Sequence, residues 1–203
     1  MTFDTHSERC LVTVSPIGGL AFNLSPRVTS FQINGGEKGV EGVALMNGGR
    51  VTRFLPQSDF ELSFDAFFLG LNTTSGDDIS VSQYLNNPAS LDTDKPYKTN
   101  PSRNRKKFRV TLLWLEDTSV TGNNAELTPT TGMAERISFV GSYLVNDNIS
   151  FADLIKQDNF KFNVSPFDVD GAANIQHEST MDSSVNRLES LESYTTSNKW
   201  YTE

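Results

Sequence analysis

Apolar and polar residues alternate with a period of two along most of this chain, which predicts β-strands joined by tight turns. In 60–68, Phe60, Leu62, Phe64, Ala66 and Phe68 fall on one side and Glu61, Ser63, Asp65 and Phe67 on the other. In 107–115, Phe108, Val110, Leu112 and Trp114 oppose Lys107, Arg109, Thr111, Leu113 and Leu115. The first halves of these two segments separate apolar from polar, but their second halves are apolar on both sides. Such ends must be covered twice, by a helix or by another subunit.

Shorter segments of the same kind begin at Cys10 (CLVTVSP) and continue through IGGLAFNL, VTSFQI and 39–46. Turn residues punctuate them: Pro16, Ser25-Pro26, Asn34-Gly35-Gly36 and Asn47-Gly48. Asn47-Gly48 is the strongest hairpin signal, because both residues tolerate the positive φ angles of a type I′ turn. Arg50–Leu55 returns from it and Pro56 closes that strand. Ile137–Val145 reads as a further strand ending at the turn Asn146-Asp147-Asn148, and Phe160, Phe162 and Val164 mark the last clear one.

Helical signals are few. Ile79, Val81, Tyr84 and Leu85 form one side of a short helix capped by Asp78 and stopped by Pro88. Ser150 and Asp153 make a weak capping arrangement for FADLIKQ, and Val185, Leu188 and Leu191 form a sparse stripe in the tail. The expected fold is therefore all-β, an antiparallel β-sandwich or barrel with one or two short flanking helices. Its expected parts are an N-terminal arm (1–9), one β domain (10–170) holding a long loop (70–106), and a C-terminal arm or flexible tail (171–203).

The chain has 203 residues, 22.5 kDa, enough for one good core. Mean hydropathy is -0.37 and no apolar run nears the roughly 20 residues a spanning helix needs, so no membrane partner is expected. The N-terminal MTFDTHSERC has two acids and no apolar core, unlike a signal peptide. The lone Cys10 excludes an internal disulfide and a cysteine-based metal cluster.

Net charge is -8, unevenly spread. Lys95, Lys98, Arg103, Arg105, Lys106, Lys107 and Arg109 occupy 95–109 with no acid, seven positive charges that leave -15 elsewhere (-8 minus 7). That run admits three readings: a solvated loop, a contact with an acidic surface of another subunit, and a nucleic-acid contact. Only Tyr97 and Phe108 are available to stack on bases, and the acidic body opposes wrapping of nucleic acid. Assembly between subunits is the favoured reading, with Lys95, Lys98, Arg103, Arg105, Lys106 and Lys107 as candidate contacts.

Candidates for chemistry are weak. His6 and His177, the only histidines, stand among polar neighbours at opposite ends of the chain, so no zinc site and no base for a nucleophile is evident. Asp168 and Asp170 precede Gly171 without EF-hand spacing and read as a turn. Glu61 and Asp65 share a strand face, as a glycosidase pair might be arranged, with a solvated strand face as the plainer account. The double glycines at 18–19, 35–36 and 48–49 lack the Lys-Ser/Thr of a phosphate loop. No catalytic residue, cofactor or metal is expected.

The runs MNGGRVTRFLPQSDFELSFDAFF (46–68), KFRVTLLWLED (107–117) and NFKFNVSPFDVDGAANIQHEST (159–180) resemble the corresponding stretches of major tail (tail tube) proteins of tailed viruses. The likeness lies in order and texture over most of 10–180. It implies a β-sandwich or barrel flanked by a helix, and hexameric rings that stack into a hollow tube through which the genome passes, with inner sheets joined across subunits. It further implies Glu61, Asp65 or Arg109 as lumen-facing residues and 70–106 as the excursion that meets an adjacent ring. Location would be the virion tail, assembled in the host cytoplasm. Partners would be further copies of the chain, passing DNA held without specificity, and tail terminator, baseplate or tape-measure proteins. The chain departs from that family in having only short helix candidates. The alternatives are a carbohydrate- or receptor-binding β-sandwich of a virion fibre or decoration protein, and a β-sandwich enzyme.

Overall fold

A computed structural model describes residues 9–19, 21–25, 28–67, 81–86, 106–115, 124–126, 134–152 and 155–180, together with Leu188, Leu191 and Tyr194. The chain is all-β. Its strands are β1 (Arg9–Pro16), β2 (Phe22–Asn23), β3 (Val28–Gly35), β4 (Lys38–Ala44), β5 (Arg50–Gln57), β6 (Phe60–Phe67), β7 (Lys107–Leu115), β8 (Ala134–Ala152), β9 (Ile155–Val164) and β10 (Ile175–Thr180). A single short helix, α1 (Val81–Asn86), is described. Every strand pairing is antiparallel.

The main sheet runs β2-β1-β7-β8-β9-β6-β3, with β10 also on β8. β8 belongs to two halves of it. Its first part, Ala134–Tyr143, pairs with β7, and β10 lies along its other edge from Ala134 to Phe139. Its second part, Tyr143–Ala152, pairs with β9. Between them Gly141 adopts φ 73°, a conformation other residues rarely take, and the register slips at Leu144/Asn146. These irregularities turn the strand from one half-sheet (β2-β1-β7-β8-β10) into the other (β8-β9-β6-β3).

The two halves enclose one core. Val12, Val14, Phe108, Val110 and Leu112 come from the first half; Leu62, Phe64, Ala66, Phe160, Phe162 and Val164 from the second. Rings meet across it: Phe108 to Phe162 at 5.6 Å and Phe60 to Phe139 at 6.0 Å. Strands two places apart in a flat sheet lie about 9–10 Å apart, so these contacts require the sheet to fold over. Helix α1 packs Val81, Tyr84 and Leu85 into the same core, and Tyr84 stacks on Phe22 at 4.5 Å. The expected side of that helix is the buried one; Asp78 and Pro88, its expected ends, lie outside the described residues.

Several expectations change. β8 does not turn at Asn146-Asp147-Asn148 but runs through it, because the Asp147 carboxylate accepts hydrogen bonds from Ser82 Oγ (2.5 Å) and Asn86 Nδ2 (2.8 Å) of α1. The segment FADLIKQ supplies strand ends, Phe151–Ala152 and Ile155 onward, where a helix is expected. β10 falls in the segment expected as a tail: its alternation is polar on both sides, so only its pairing with β8 reveals it.

β7 is covered on both faces, by this chain itself. Leu113 and Leu115 pack with Leu11, Ala125, Ala134 and Leu188 on the side away from the main core. Of the described members of the tail's sparse stripe, Leu188 is buried, and Leu191 N donates to Glu126 O at 2.9 Å.

Candidate assembly surfaces

Four strands, β8-β9-β6-β3, carry the features that bear on function. Their inner side holds Leu62, Phe64, Phe160 and Phe162; their outer side is polar by the same alternation. Across that outer side Ser30, Gln32 and Asn34 of β3 stand beside Asp65, Ser63 and Glu61 of β6, which stand beside Asn159, Lys161 and Asn163 of β9. Asp65 accepts from Asn159 Nδ2 (2.6 Å) and Ser30 Oγ (2.8 Å), and Lys161 Nζ donates to Glu61 at 3.1 Å. Glu61 and Asp65 therefore share the outer face of β6, each opposite an asparagine of β9, in an amide-rich face whose three ionised groups sum to -1. Glu61 and Lys161 are too exposed for their pair to add much stability.

This four-strand unit has two open edges. Among the described residues β3 pairs only with β6. Among the described residues the second part of β8, Asn146–Ala152, pairs only with β9, since its pairings with β7 and β10 end at Tyr143 and Phe139. Exposed edges of this length are templates for another strand.

The β3–β6 pair continues beyond the body as a separate two-stranded hairpin, β4–β5. Its turn lies where expected but is of another kind: Gly48 N donates to Leu45 O at 3.0 Å and Leu45 N to Gly49 O at 2.7 Å, so Met46 and Asn47 are the central residues and Gly48, at φ 83°, follows as a bulge, where a two-residue Asn47-Gly48 turn is expected; Gly49 N donates to Asn47 Oδ1 at 3.0 Å. Both of its faces are bare. Val40 and Phe54 are cross-strand partners on one face, Val43 and Val51 on the other, and Phe54 is 79% exposed. An isolated two-stranded hairpin is marginal in water, so this apolar surface marks a contact. Sequence reasoning located the turn but missed the arm, whose strands alternate too weakly to declare two exposed faces.

Arg109 does not join Glu61 and Asp65. It is 2% exposed, on the opposite face of β7, where its guanidinium Nε lies 2.9 Å from Glu126 Oε1 and its carbon 5.6 Å from the Tyr194 ring centre. Ser15 Oγ donates to the same carboxylate oxygen at 2.6 Å. The expectation that Arg109 faces a lumen is therefore corrected: a charge on a strand covered on both faces is buried and must be paired inside the chain. Arg136, also buried, is held by Glu178 of β10 at 2.6 Å. Burial, with a smaller contribution from Glu126, raises the Tyr84 phenol well above its ordinary range.

Of the basic run, Lys106 directly precedes β7 and Lys107 begins it, its Nζ 5.8 Å from the Tyr143 ring centre. Lys95, Lys98, Arg103 and Arg105 lie outside the described residues, as does His6. His177 lies on β10 opposite Ile137. The Asp168 carboxylate accepts from Asp170 N and Ala172 N, both at 2.9 Å, which makes it a turn device. Among the described residues no group of three His, Cys, Asp or Glu is placed to hold a metal ion.

No family model matches the sequence, and no curated protein matches it. Solved structures with a similar chain trace include the six-fold symmetrised baseplate of the anti-feeding prophage (9% identity, TM-score 0.48, covering 88% of this chain and 97% of that one). The tube-terminating cap of the anti-feeding prophage is similar at 5% identity and TM-score 0.49, over 89% and 94%. So is the PVC sheath-tube complex of an extracellular contractile injection system in its extended state, at 9% and 0.42, over 83% and 88%. Identities this low, with TM-scores below 0.5, say nothing of what this chain does.

Proposed function

We propose that this chain is a structural, self-assembling virion protein: copies join edge to edge into a closed, six-membered ring, and stacked rings form a hollow tail tube that conducts the genome. The observation that supports this most is the pair of open edges on the β8-β9-β6-β3 unit. Four strands alternate in direction, so β3 at one edge runs opposite to β8 at the other. Copies related by rotation then bring β3 of one against β8 of the next in antiparallel register, the pairing already used throughout the chain. A heterologous contact of this kind closes into a ring when the rotation permits. Closure also removes both edges.

The amide-rich face with Glu61 and Asp65 would line the bore. Its charges are mostly paired in place, which leaves a nearly neutral polar wall over which a polyanion slides without being gripped. Lys95, Lys98, Arg103, Arg105, Lys106 and Lys107 remain proposed subunit contacts. The two most exposed phenylalanines described, Phe54 and Phe151, stand at opposite ends of the strand unit and frame no sugar-binding groove.

Negative-stain microscopy of concentrated protein tests the reading, with rings of uniform bore expected. Hydrogen exchange adds a local measure. Amides of 28–35 and 146–152 gain protection on assembly while those of β6 do not. A protein that stays monomeric under assembling conditions, with both edges exchanging freely, would overturn it.

A further inference from the structure

The hairpin arm and a second bare apolar surface lie at opposite ends of one strand unit. β3 ends and β6 begins at the arm, at Gly35 and Phe60. Along β9, Phe60 pairs with Val164 and Phe67 with Gln157, and the β8–β9 hairpin closes beyond Gln157, past the far end of β6. On that far hairpin Ile149 is 63% and Phe151 70% exposed. Ile149 pairs with Asp158 and Phe151 with Lys156, on the side of the strand that continues the core-facing row of Phe160. The row leaves the core at Ile149 and Phe151, while Asp158 between them and Phe160 is still buried and paired with Lys156.

Charge distinguishes the two ends as well. Strands β4 and β5 with their turn (38–57) carry Lys38, Arg50 and Arg53 against Glu41, a sum of +2. The described residues of the far end carry Asp147 and Asp158 against Lys156, a sum of -1. Apolar area and opposite sign thus sit at the two ends of every copy.

The arm leaves the body at a defined junction. Gly35 and Gly36 have φ 86° and 72°. A Cβ on Gly36 would fall 2.1–2.8 Å from ring atoms of Phe60, whose other contact is Phe139 in the core. Across the junction Gly36 N donates to Asp59 O at 3.2 Å, Ser58 N to Glu37 O at 3.1 Å, and Gln57 Nε2 to Gly36 O at 2.9 Å. Phe60 is therefore a positioning residue that ties the direction of the arm to the core. Seven residues of strand project it about 23 Å.

We propose that the β4–β5 arm of one copy seats on the β8–β9 tip, Ile149 and Phe151, of a second copy of this chain placed end to end with it. Such a contact uses different surfaces on its two sides, so it propagates without closing. It rests on the ring reading only for what is stacked: if rings form, the arm is the contact between them.

The test uses Phe54→Ser and Phe151→Ser, both at exposed positions, with circular dichroism to confirm that each folds. Sedimentation velocity and negative-stain microscopy are expected to show long stacks for the native chain and loss of stacking in either variant alone. An equimolar mixture of the two variants restores one contact, the arm of the Phe151→Ser copy on the tip of the Phe54→Ser copy, and stops at two layers. Stacks unchanged in Phe54→Ser, or a mixture no larger than either variant, would refute the proposal. Linear chains without rings, lost in Phe54→Ser, would sink the ring reading and uphold the arm. A native chain that forms neither rings nor chains overturns both.

Discussion

Arg109 and Glu126 form an ion pair 2.9 Å long with side chains only 3% and 6% exposed, and it joins strand β7 to a turn of the segment that covers it. Ser15 and Tyr194 complete its surroundings. Breaking one side of a buried pair strands a charge, whereas removing both removes the need for either. Glu126→Ala is expected to lower unfolding free energy by about 3–5 kcal/mol, and Arg109→Met with Glu126→Leu by much less. Urea denaturation of the single and double variants measures this.

Phe162 touches both halves of the core, with Phe64 at 5.7 Å and Phe108 at 5.6 Å. Phe162→Ala should cost about 3–5 kcal/mol by cavity formation. Thermal denaturation should show a single lower transition, since one core serves both half-sheets. Two separated transitions would mean the halves fold independently.

Gly36 is required by its φ of 72° and by the ring of Phe60. Gly36→Ala should destabilise the fold by about 1–3 kcal/mol and disturb the arm more than the body. Hydrogen exchange over 38–57 compared with β9 resolves the two. A companion Gly42→Ala change meets open space and should be nearly silent in the same measurement.

Cys10 reaches the surface, yet burial pushes its thiol from an ordinary 9.0 up to about 11. At pH 7–8 it should react with disulfide reagents more slowly than a free thiol, the rate climbing as pH nears 11. The unfolded chain releases this proton first, so the group's contribution to stability falls as pH rises from 9 to 11. A stopped-flow labelling profile with an inflection near 9 would contradict the burial.

Strand identity was legible wherever a strand has one dry face. Leu62, Phe64 and Ala66 are buried as their alternation requires, and the hairpin turns at the glycine pair after Asn47, where Gly48 takes the positive φ its backbone permits. The elements that misled have their character set by distant partners. Asn146-Asp147-Asn148 has turn composition but is straightened into β8 by Ser82 and Asn86, over sixty residues away in sequence. Arg109 alternates with apolar residues like any surface charge, and only a cover from 124–126 and Tyr194 makes it internal. Glu126 stands in a polar stretch with no pattern of its own.

By itself the sequence determined the all-β class, the strong strands, the hairpin turn and the side of β6 that enters the core, because these follow from local side-chain alternation and backbone freedom. Tertiary structure decided which strands are neighbours: β6 and β7, the two strongest, are separated by β8 and β9, and Phe162 of β9 touches a ring from each. It also decided which edges stay open and which apolar residues stay outside. Pairing order and coverage are sums over contacts between remote segments, and a single strand carries no record of what will lie beside it.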